Sequence, residues 1–383
     1  MSAVPYWRLS AFYFVYCTFM GAFMPYWSLY LKSLEFSAFQ IGVLMSLFQV
    51  ARIFVPTFWG WLADKTGHRV RIIQFTAAAS LLFYLGVFAG NGFGWLFCVM
   101  ALMSFFLSAP MPLIEAITLK HLGEDESAYG RIRLWGSIGF IVAVIGLGYW
   151  FDYAPIKSLL WVLLGLKVGT LLTSRWLPEP PTVFQAQPKF SVWEIVKRKE
   201  VMAFLVACFL MATAHGTYYT FYSIYLVDQG YSKSAVGWLW AVGVICEIMV
   251  FLGMPKLTAR FGLRKILLVS FLLAALRFVL IGWGVGIPAL VFFAQTLHAA
   301  TFGAFHAASV AVMNRVFQSS HHARGQALYT SVSYGLGGTL GGLLAGGLWE
   351  SMGAVFNFSL SSVAALLGFL LLWRWLKLER YET

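Results

Sequence analysis

The stretch GWLADKTGHRVR, residues 60–71, separates two apolar segments of about twenty residues each, the length that crosses a bilayer. Gly67 allows a backbone turn with positive φ, and Gly60 is expected to permit close helix contact. Asp64 ends the first helix, while Arg69 and Arg71 enter the next one as cations. The stretch therefore predicts a tight hydrophilic hairpin between two membrane-spanning helices.

A weaker copy of this hairpin lies 195 residues further along the chain. Gly67 and Arg69 align with Gly262 and Arg264, whereas Ala259 stands in place of the aspartate. The same shift aligns identical residues elsewhere without a gap: Gly21, Ser28, Tyr30, Leu31, Gly42 and Gly130 fall on Gly216, Ser223, Tyr225, Leu226, Gly237 and Gly325. The sequence therefore contains one six-helix unit twice.

The pattern G-x-x-x-D-x-x-G-H-R, repeated in degraded form in the second half, resembles the loop signature of the major facilitator superfamily. The resemblance covers the whole chain. It implies an all-α membrane protein whose twelve transmembrane helices form two six-helix bundles related by an internal repeat. We expect the hairpin to gate the cytoplasmic side without touching substrate, through Gly60, Asp64, Gly67, Arg69 and Arg71.

Composition supports a membrane protein independently of the hairpin. Hydrophobic residues make up 60% of the 383 residues and charged residues 11%, with a mean hydropathy of +0.77. A soluble domain carries about 25% charged residues. The net charge of +12 would suggest nucleic-acid binding in a soluble protein. Here the basic residues lie in alternate short loops, and no basic–aromatic module for nucleic acid is present.

The loops between the apolar segments predict how the chain is oriented in the membrane. Most of the 27 Lys and Arg residues lie at the termini or in loops after even-numbered helices, and only Lys32, Lys157 and Lys233 lie in the opposite loops. We therefore expect a multi-pass protein of the inner (plasma) membrane. By the positive-inside rule, both of its termini face the cytoplasm. The twelve helices are predicted near 9–31, 39–63, 70–89, 95–119, 130–151, 156–177, 201–227, 234–254, 264–283, 288–313, 323–349 and 353–375.

The long connection at residues 178–200 contains four prolines and a basic end, which predicts a cytoplasmic linker. It joins an N-terminal bundle, 1–177, to a C-terminal bundle, 201–383. No extramembrane stretch is large enough for a catalytic domain, and no catalytic signature is present. We therefore expect neither an enzyme nor a bound cofactor or metal.

Placing an ionisable side chain at mid-bilayer costs about 2.5–3.5 kcal/mol of insertion free energy, so such residues in the apolar segments are expected to have a structural or functional role. Glu247 and Arg277 each lie fifteen residues from Gly262, so an antiparallel hairpin places them at equal depth, where they can pair. His298 can join them, and His306, offset by about 80° on the same helix, can face the same cavity. The four side chains are predicted to couple protons; structural pairing is the alternative.

A second ionisable group is predicted in the N-terminal half. Glu115 and Arg133 lie eighteen residues apart across one loop, at similar depth. Arg133 or Arg52 can hold a carboxylate with two parallel hydrogen bonds. Lys167 has no obvious partner and is predicted to be peripheral, its amine reaching toward the membrane surface.

The segment GRIRLWGSIGF, which includes Arg133, resembles the start of the fifth helix in the oligosaccharide/proton symporters of this superfamily. The resemblance implies that Glu115 and Arg133 bind substrate. It also matches Glu247, Arg277 and His298 to the Glu, Arg and His on helices 8, 9 and 10 of those symporters.

Two departures from that family bear on substrate and coupling. Thr301 stands where an acid is expected, so Glu247 would have to be the coupling carboxylate. Phe140 stands where a tryptophan is expected to stack on sugar, which argues against a sugar.

The chain bears a closer resemblance to the phenylpropionate permease branch. This resemblance implies uptake of an aromatic carboxylate with protons. Its matching segments are RLWGS at 133–137, AHGTYYTFYSIY at 214–225, GYSKSAVGWLW at 230–240, Glu247, and LHAATF at 297–302. The substrate contacts predicted from these features are Glu115, Arg133, Arg52, His215, Tyr219 and Phe140.

We therefore predict a monomeric secondary transporter that imports a small aromatic carboxylate with protons by alternating access. Its partners would be the substrate, protons and the lipid bilayer, with no nucleic acid. Proton symport of a sugar or nucleoside is the alternative, as is efflux of drugs or metabolites, although the antiporter-type G-P signature is missing from the fifth helix. A membrane sensor would need a signalling domain, which the chain lacks.

Overall fold

The computed structural model describes residues 4–123, 126–180, 193–317 and 322–377, and these are helical without a strand. Ten helical stretches, some of which run through short interruptions between the helices named below, are long and apolar enough to cross a membrane. Residues 181–192 of the predicted linker lie outside the described residues.

The described residues of the first half form seven α-helices. They are α1 (Tyr6–Ser33), α2 (Ala38–Thr66), α3 (Arg69–Leu85), α4 (Phe93–Leu107), α5 (Pro110–Leu122), α6 (Glu126–Tyr153) and α7 (Leu159–Ser174). The sequence explains the ends of α2: Ser37 and Gln40 form a reciprocal capping box at its start, and Gly67 closes it in the left-handed conformation with φ 72°.

The predicted fourth helix is divided into α4 and α5. Pro110 follows Ser108 and Ala109 and begins α5, because a proline within a continuous helix would lack its backbone N–H and clash with the preceding turn. The division falls about one and a half turns before Glu115.

The second half begins with the short α8 (Trp193–Val196) and contains the longest helical runs. They are α9 (Lys199–Asp228), α10 (Lys233–Gly284), α11 (Pro288–Thr296), α12 (Phe305–Val316), α13 (His322–Thr330) and α14 (Gly338–Trp375). Both α10 and α14 contain one glycine with non-helical backbone angles. Gly262 has φ 73° and ψ 156°, and Gly353 has φ 81° and ψ 171°.

Two π-helical segments interrupt this half. One, Ala299–Ala304, joins α11 to α12, and the other, Ser331–Gly337, joins α13 to α14. A π-helix closes i→i+5 hydrogen bonds and usually occurs as a short bulge near a functional site. Each segment changes which side chains share a face of its helix.

The chain divides into two compact units. Unit 1 consists of residues 1–185 and 232–241, and unit 2 of residues 186–231 and 242–383. The start of α10 belongs to unit 1 because it packs on α6. There the carboxylate of Asp152 accepts hydrogen bonds from the backbone N–H groups of Lys233, at 2.8 Å, and Ser234. A negative charge at a helix N-terminus is favourable.

Equivalent contacts recur in the two units at the 195-residue spacing of the sequence repeat. In unit 1, Lys167 Nζ on α7 donates to Ser80 Oγ on α3 at 2.8 Å. In unit 2, Ser362 Oγ on α14 donates to the carbonyl of Ala275 on α10 at 2.9 Å. Lys167 aligns with Ser362, and Ser80 with Ala275. The duplication is therefore visible in packing as well as in sequence.

Two aligned glycines also mark close helix crossings. A Cβ atom at Gly21 of α1 would lie 2.7 Å from the carbonyl oxygen of Phe140 on α6. A Cβ atom at Gly216 of α9 would lie 2.3 Å from the carbonyl carbon of Gly341 on α14. No side chain fits at either crossing without separating the helices.

Candidate functional site: ionisable groups in each unit

The hairpin between α2 and α3 has the turn that the sequence predicts. Gly67 adopts positive φ, and the guanidinium of Arg69 forms an ion pair with the Asp64 carboxylate. The backbone N–H of Val70, in the first turn of α3, donates to the carboxylate of Glu179 at 3.0 Å. Arg71 is exposed. Acidic groups therefore hold the start of α3 on two sides.

Gly60 does not have the predicted role of a close helix contact. A Cβ atom at this position would meet nothing within 4 Å, so a larger side chain would fit. The reason is that the contact at this end of α2 is made by the ion pair and by the buried Trp59 and Ala63 instead. A gating role for Gly60 remains a prediction that rests on the motif alone.

Glu115 and Arg133 meet in unit 1, as their equal distance from the loop predicts. Arg133 Nε lies 3.9 Å from Glu115 Oε1, and the two side chains are 37% and 40% exposed. The guanidinium also lies over the ring of Tyr13, 5.6 Å from its centroid, and Nη1 is 3.9 Å from Cys17 Sγ. Tyr129 is a further hydrogen-bond partner of this guanidinium. A guanidinium has five N–H donors, so some remain that a ligand can use.

The other two substrate residues predicted in unit 1 lie in different surroundings. Arg52 Nη1 donates to Gln49 Oε1 at 3.4 Å, one turn away on α2, and the side chain interacts electrostatically with Glu115. Phe140 lies two turns beyond Arg133 on α6, with its ring centroid 6.4 Å from that of Trp240. The indole missing from α6 is therefore present nearby, on α10.

Arg277 forms the centre of the polar group in unit 2. It is completely buried, and its Nε donates to the carbonyl of Ala294 at 3.1 Å. Its terminal nitrogens approach Thr301 Oγ1 and Gln295 Oε1, each at 3.4 Å. The guanidinium carbon Cζ lies 4.2 Å from the ring centroid of Tyr218, a favourable cation–π distance.

His215 supports Arg277 through a specific tautomer. Its Nδ1 lies 2.8 Å from the carbonyl of Met211, an acceptor, so Nδ1 carries the proton. In the neutral ring, Nε2 is then free to accept from Arg277 Nη1, at 3.5 Å. Tyr219 lies beside this histidine, with ring centroids 6.0 Å apart. Both nitrogens of His215 are therefore occupied by the protein itself.

The carboxylate of Glu247 pairs with His298 and not with Arg277, the partner that their equal depth predicted. Glu247 Oε2 lies 3.8 Å from His298 Nε2, and the side chains are 17% and 7% exposed. Among the described residues, none of the contacts of Arg277 is with a carboxylate. Equal depth brings Glu247 and Arg277 to the same level, but the guanidinium turns toward α11, where carbonyl and amide oxygens accept its hydrogen bonds.

His306 belongs to the same column of side chains. The ring of Phe302 lies between His298 and His306, nearly parallel to each, at 5.3 Å and 6.1 Å between centroids. His306 Nδ1 contacts Tyr334 Oη at 3.0 Å, and Tyr334 Oη lies 3.4 Å from Tyr329 Oη. The rings stack because the π segment Ala299–Ala304 reduces the 80° offset expected of a regular helix.

The prediction that Lys167 is peripheral is wrong, because the side chain is buried. It is 4% exposed, and its ammonium lies 4.6 Å from the ring centroid of Phe19 and 5.5 Å from that of Tyr84, besides its bond to Ser80. The Ser80 hydroxyl and the faces of two aromatic rings therefore stabilise the buried ammonium, which does not reach the membrane surface.

Two polar residues of unit 2, Gln295 and Tyr334, were not predicted from the sequence. Gln295 Oε1 accepts from Tyr218 Oη at 3.1 Å as well as from Arg277, and Tyr334 joins His306 to Tyr329. A buried glutamine in an apolar helix was a usable signal, whereas nothing in the sequence predicts the π segment that carries Tyr334. The described residues contain no group of three or more His, Cys, Asp or Glu side chains arranged to hold a metal ion.

Comparison with known proteins identifies the family. The pattern of the MFS_1 like family matches residues 6–360, nearly the whole chain. The chain belongs to this family of major facilitator transporters. The transporter is therefore not an enzyme, and its family carries small molecules across membranes.

Curated relatives of this transporter differ in their substrates. It is 31% identical to the probable 3-phenylpropionic acid transporter of Escherichia coli (strain K12), over 89% of this chain and 90% of the relative. It is 27% identical to the maltose permease of Geobacillus stearothermophilus, over 96% and 94% of the two chains.

A solved structure shows the same fold. The crystal structure of the nucleoside transporter NupG superimposes with a TM-score of 0.81, covering 96% of this chain and 97% of that one, at 20% identity. The transporter thus shares its architecture with proteins that carry chemically different cargo.

Proposed function

We propose that this transporter imports a small aromatic carboxylate together with protons, by alternating access of two six-helix bundles. The bundles would comprise residues 1–177 and 201–383, joined by the linker at 178–200. The transporter would act as a monomer in the inner membrane. The hairpin that contains Asp64 and Arg69 would act as the cytoplasmic gate.

Twelve membrane crossings are consistent with the ten long helices. Two of the ten, Lys233–Gly284 and Arg324–Trp375, contain 52 residues each, far more than one crossing needs. Gly262 and Gly353 break them into two segments of more than twenty residues apiece. Each break would turn the chain back into the bilayer, which gives an even number of crossings. The distribution of Lys and Arg then favours a cytoplasmic location for both termini.

The observation that carries the proposed substrate is the state of Arg133. Its side chain is more than one-third exposed, and its guanidinium makes long contacts to Glu115 and Cys17, is hydrogen-bonded to Tyr129 and lies over the ring of Tyr13. A carboxylate would find two parallel donors on this guanidinium, and an aromatic group attached to it would find a ring beside it. The 31% identical relative named for 3-phenylpropionic acid supports this assignment.

Proton coupling is proposed for unit 2. Glu247 and His298 lie within an ion-pair distance in a largely buried setting, where one proton can be held by either partner. Both ring nitrogens of His215 and most N–H donors of Arg277 contact protein groups, so we assign these two residues to orienting the pair.

A nucleoside or sugar is the second candidate, and a specific observation favours it. Glu115 presents a half-exposed carboxylate beside Arg133, and this combination of acceptor and donor suits neutral hydroxyl groups. The maltose permease relative and the NupG fold are consistent with such cargo.

Uptake by proteoliposomes tests the two candidates. Purified transporter would be reconstituted, a pH gradient imposed, and accumulation of labelled aromatic acids, nucleosides and maltose measured with wild type, Glu115→Gln and Arg133→Lys. We expect accumulation of an aromatic acid that depends on the pH gradient, a strong loss in Arg133→Lys, and a weak effect of Glu115→Gln. Accumulation of nucleoside or sugar alone, with Glu115→Gln as the more severe variant, would replace the first proposal by the second.

A further inference from the structure

Two glycines lie where α10 approaches the π segment Ala299–Ala304 in unit 2. A Cβ atom at Gly303 would lie 2.9 Å from Glu247 Cγ, closer than real Cβ contacts. A Cβ atom at Gly243 would lie 3.2 Å from Cδ2 of the His298 ring. Each glycine therefore makes room for the charged or titratable side chain of the opposite helix.

The spacing of these four residues matches the two kinds of helix. Gly243 and Glu247 are four residues apart, about one turn of the α-helix that carries them. His298 and Gly303 are five residues apart, the spacing that the i→i+5 hydrogen bonds of a π-helix bring close to one turn. The N–H of Phe305 donates to the carbonyl of Ala300, in the i→i+5 pattern.

A regular α-helix could not place His298 and Gly303 on one face. Five residues of an α-helix rotate through about 500°, which leaves the two positions about 140° apart. The π segment removes that offset, so that His298 and Gly303 both face α10 across from Gly243 and Glu247. The π segment therefore creates the surface against which the Glu247 side chain packs.

We propose that Gly303 is a positioning residue for proton coupling: the π segment turns it toward α10 so that the Glu247 carboxylate is held against His298. The proposal rests on the proton-coupled function proposed above. Other charged or titratable groups also act on this pair. Tyr218 and Tyr219 of α9 interact electrostatically with Glu247, and Arg277 of α10 and His215 of α9 interact with His298.

The test uses Gly303→Ala in the full-length transporter, with Gly253→Ala as a matched control. Gly253 lies in α10, the helix that carries Glu247. A Cβ atom there would have a single neighbour at 4.0 Å, so Gly253→Ala makes the same chemical change without displacing a side chain. Two quantities would be measured in proteoliposomes: accumulation driven by a pH gradient across a range of pH, and substrate exchange at equal pH on both sides.

We expect Gly303→Ala to lower gradient-driven accumulation by about tenfold and to flatten its pH profile, because misplacing a group by about 1 Å can cost up to about a hundredfold. Exchange should stay within about twofold of wild type, and Gly253→Ala should match wild type in both assays. Gly243→Ala, which presses on His298 from the other side, should change the pH profile in the same direction.

A double variant separates positioning from general structural damage. In a Glu247→Gln background, Gly303→Ala should cause no further loss of accumulation, because the carboxylate that it displaces is already neutral. Additive losses, or a fall in exchange equal to the fall in accumulation, would overturn the proposal. If Glu247→Gln itself accumulates substrate normally, the proposed coupling function fails; if only Gly303→Ala behaves as wild type, the positioning role alone fails.

Discussion

The polar groups of the two units differ in how much of their hydrogen-bonding capacity the protein already uses. In unit 1, the Arg133 side chain is 37% exposed, and it makes long contacts to Glu115 and Cys17 besides its hydrogen bond to Tyr129. In unit 2, Arg277 is completely buried and contacts four acceptors and an aromatic ring. A group with donors to spare can bind a ligand, whereas a buried group that already uses most of its donors supports its neighbours.

The largest effect is expected from removing the buried guanidinium of Arg277. Arg277→Ala would leave the acceptors of Ala294 and Thr301 without a donor, at about 1–3 kcal/mol each, a large part of a protein's total stability. We expect little folded protein, measured as the monodisperse fraction and the thermal unfolding temperature in detergent. Arg133→Ala is the matched variant in unit 1 and should unfold close to wild type. Equal stability of the two variants would contradict the distinction between the units.

The next effect concerns ligand binding in unit 1. Arg133→Lys keeps the charge but loses the planar pair of donors, so the substrate concentration at half-maximal uptake should rise about tenfold or more. Initial rates of uptake of the aromatic acid identified above measure this change. The unfolding temperature should remain that of wild type, which serves as the control. A normal half-maximal concentration would mean that the carboxylate is held elsewhere.

A smaller effect is expected from the two repeat-related hairpins. Asp64→Asn removes the ion pair with Arg69 and should slow turnover severalfold, while equilibrium binding of substrate stays unchanged. Ala259→Asp puts the missing carboxylate into the second hairpin, where Arg264 already donates to the carbonyls of Trp373 and Leu376 at 2.8 Å. We therefore expect it to leave turnover unaltered. A loss of affinity in Asp64→Asn, with normal turnover, would be inconsistent with gating.

The smallest effect is expected at the buried cation of unit 1. Lys167→Met replaces an ammonium held by Ser80 and two rings with an apolar chain of similar length. Replacing a buried charge by a well-packed apolar residue is often neutral or stabilising. Uptake should be preserved and the unfolding temperature equal or slightly higher. Loss of uptake in a stable variant would give Lys167 a role in transport that the comparison does not assign.

Much of the fold follows from the sequence because its signals are local. Apolar length predicts the crossings, and Gly67 and Gly262 have the positive φ that their turns require. The meeting of Glu115 with Arg133 is also predictable, since two residues equally far from one loop reach the same depth.

The details of unit 2 could not be predicted in the same way. A π segment has no composition of its own, so the alignment of His298 with Gly303 and the stacking of Phe302 are invisible in the sequence. The burial of Lys167 depends on Ser80 and Phe19, which come from other helices. Equal depth predicts that Glu247 and Arg277 are level with each other, but it does not say toward which neighbour each side chain turns.

The bonds from Arg264 to the last turn of α14 have a practical consequence for protein engineering. Because the carbonyls of Trp373 and Leu376 accept from this guanidinium, the final turn is a structural part of unit 2. A truncation that removes it would strip a basic side chain of its acceptors, whereas an affinity tag fused after Lys377 would leave both acceptors in place. Expression trials should therefore vary the tag and its spacer, and keep the helix end intact.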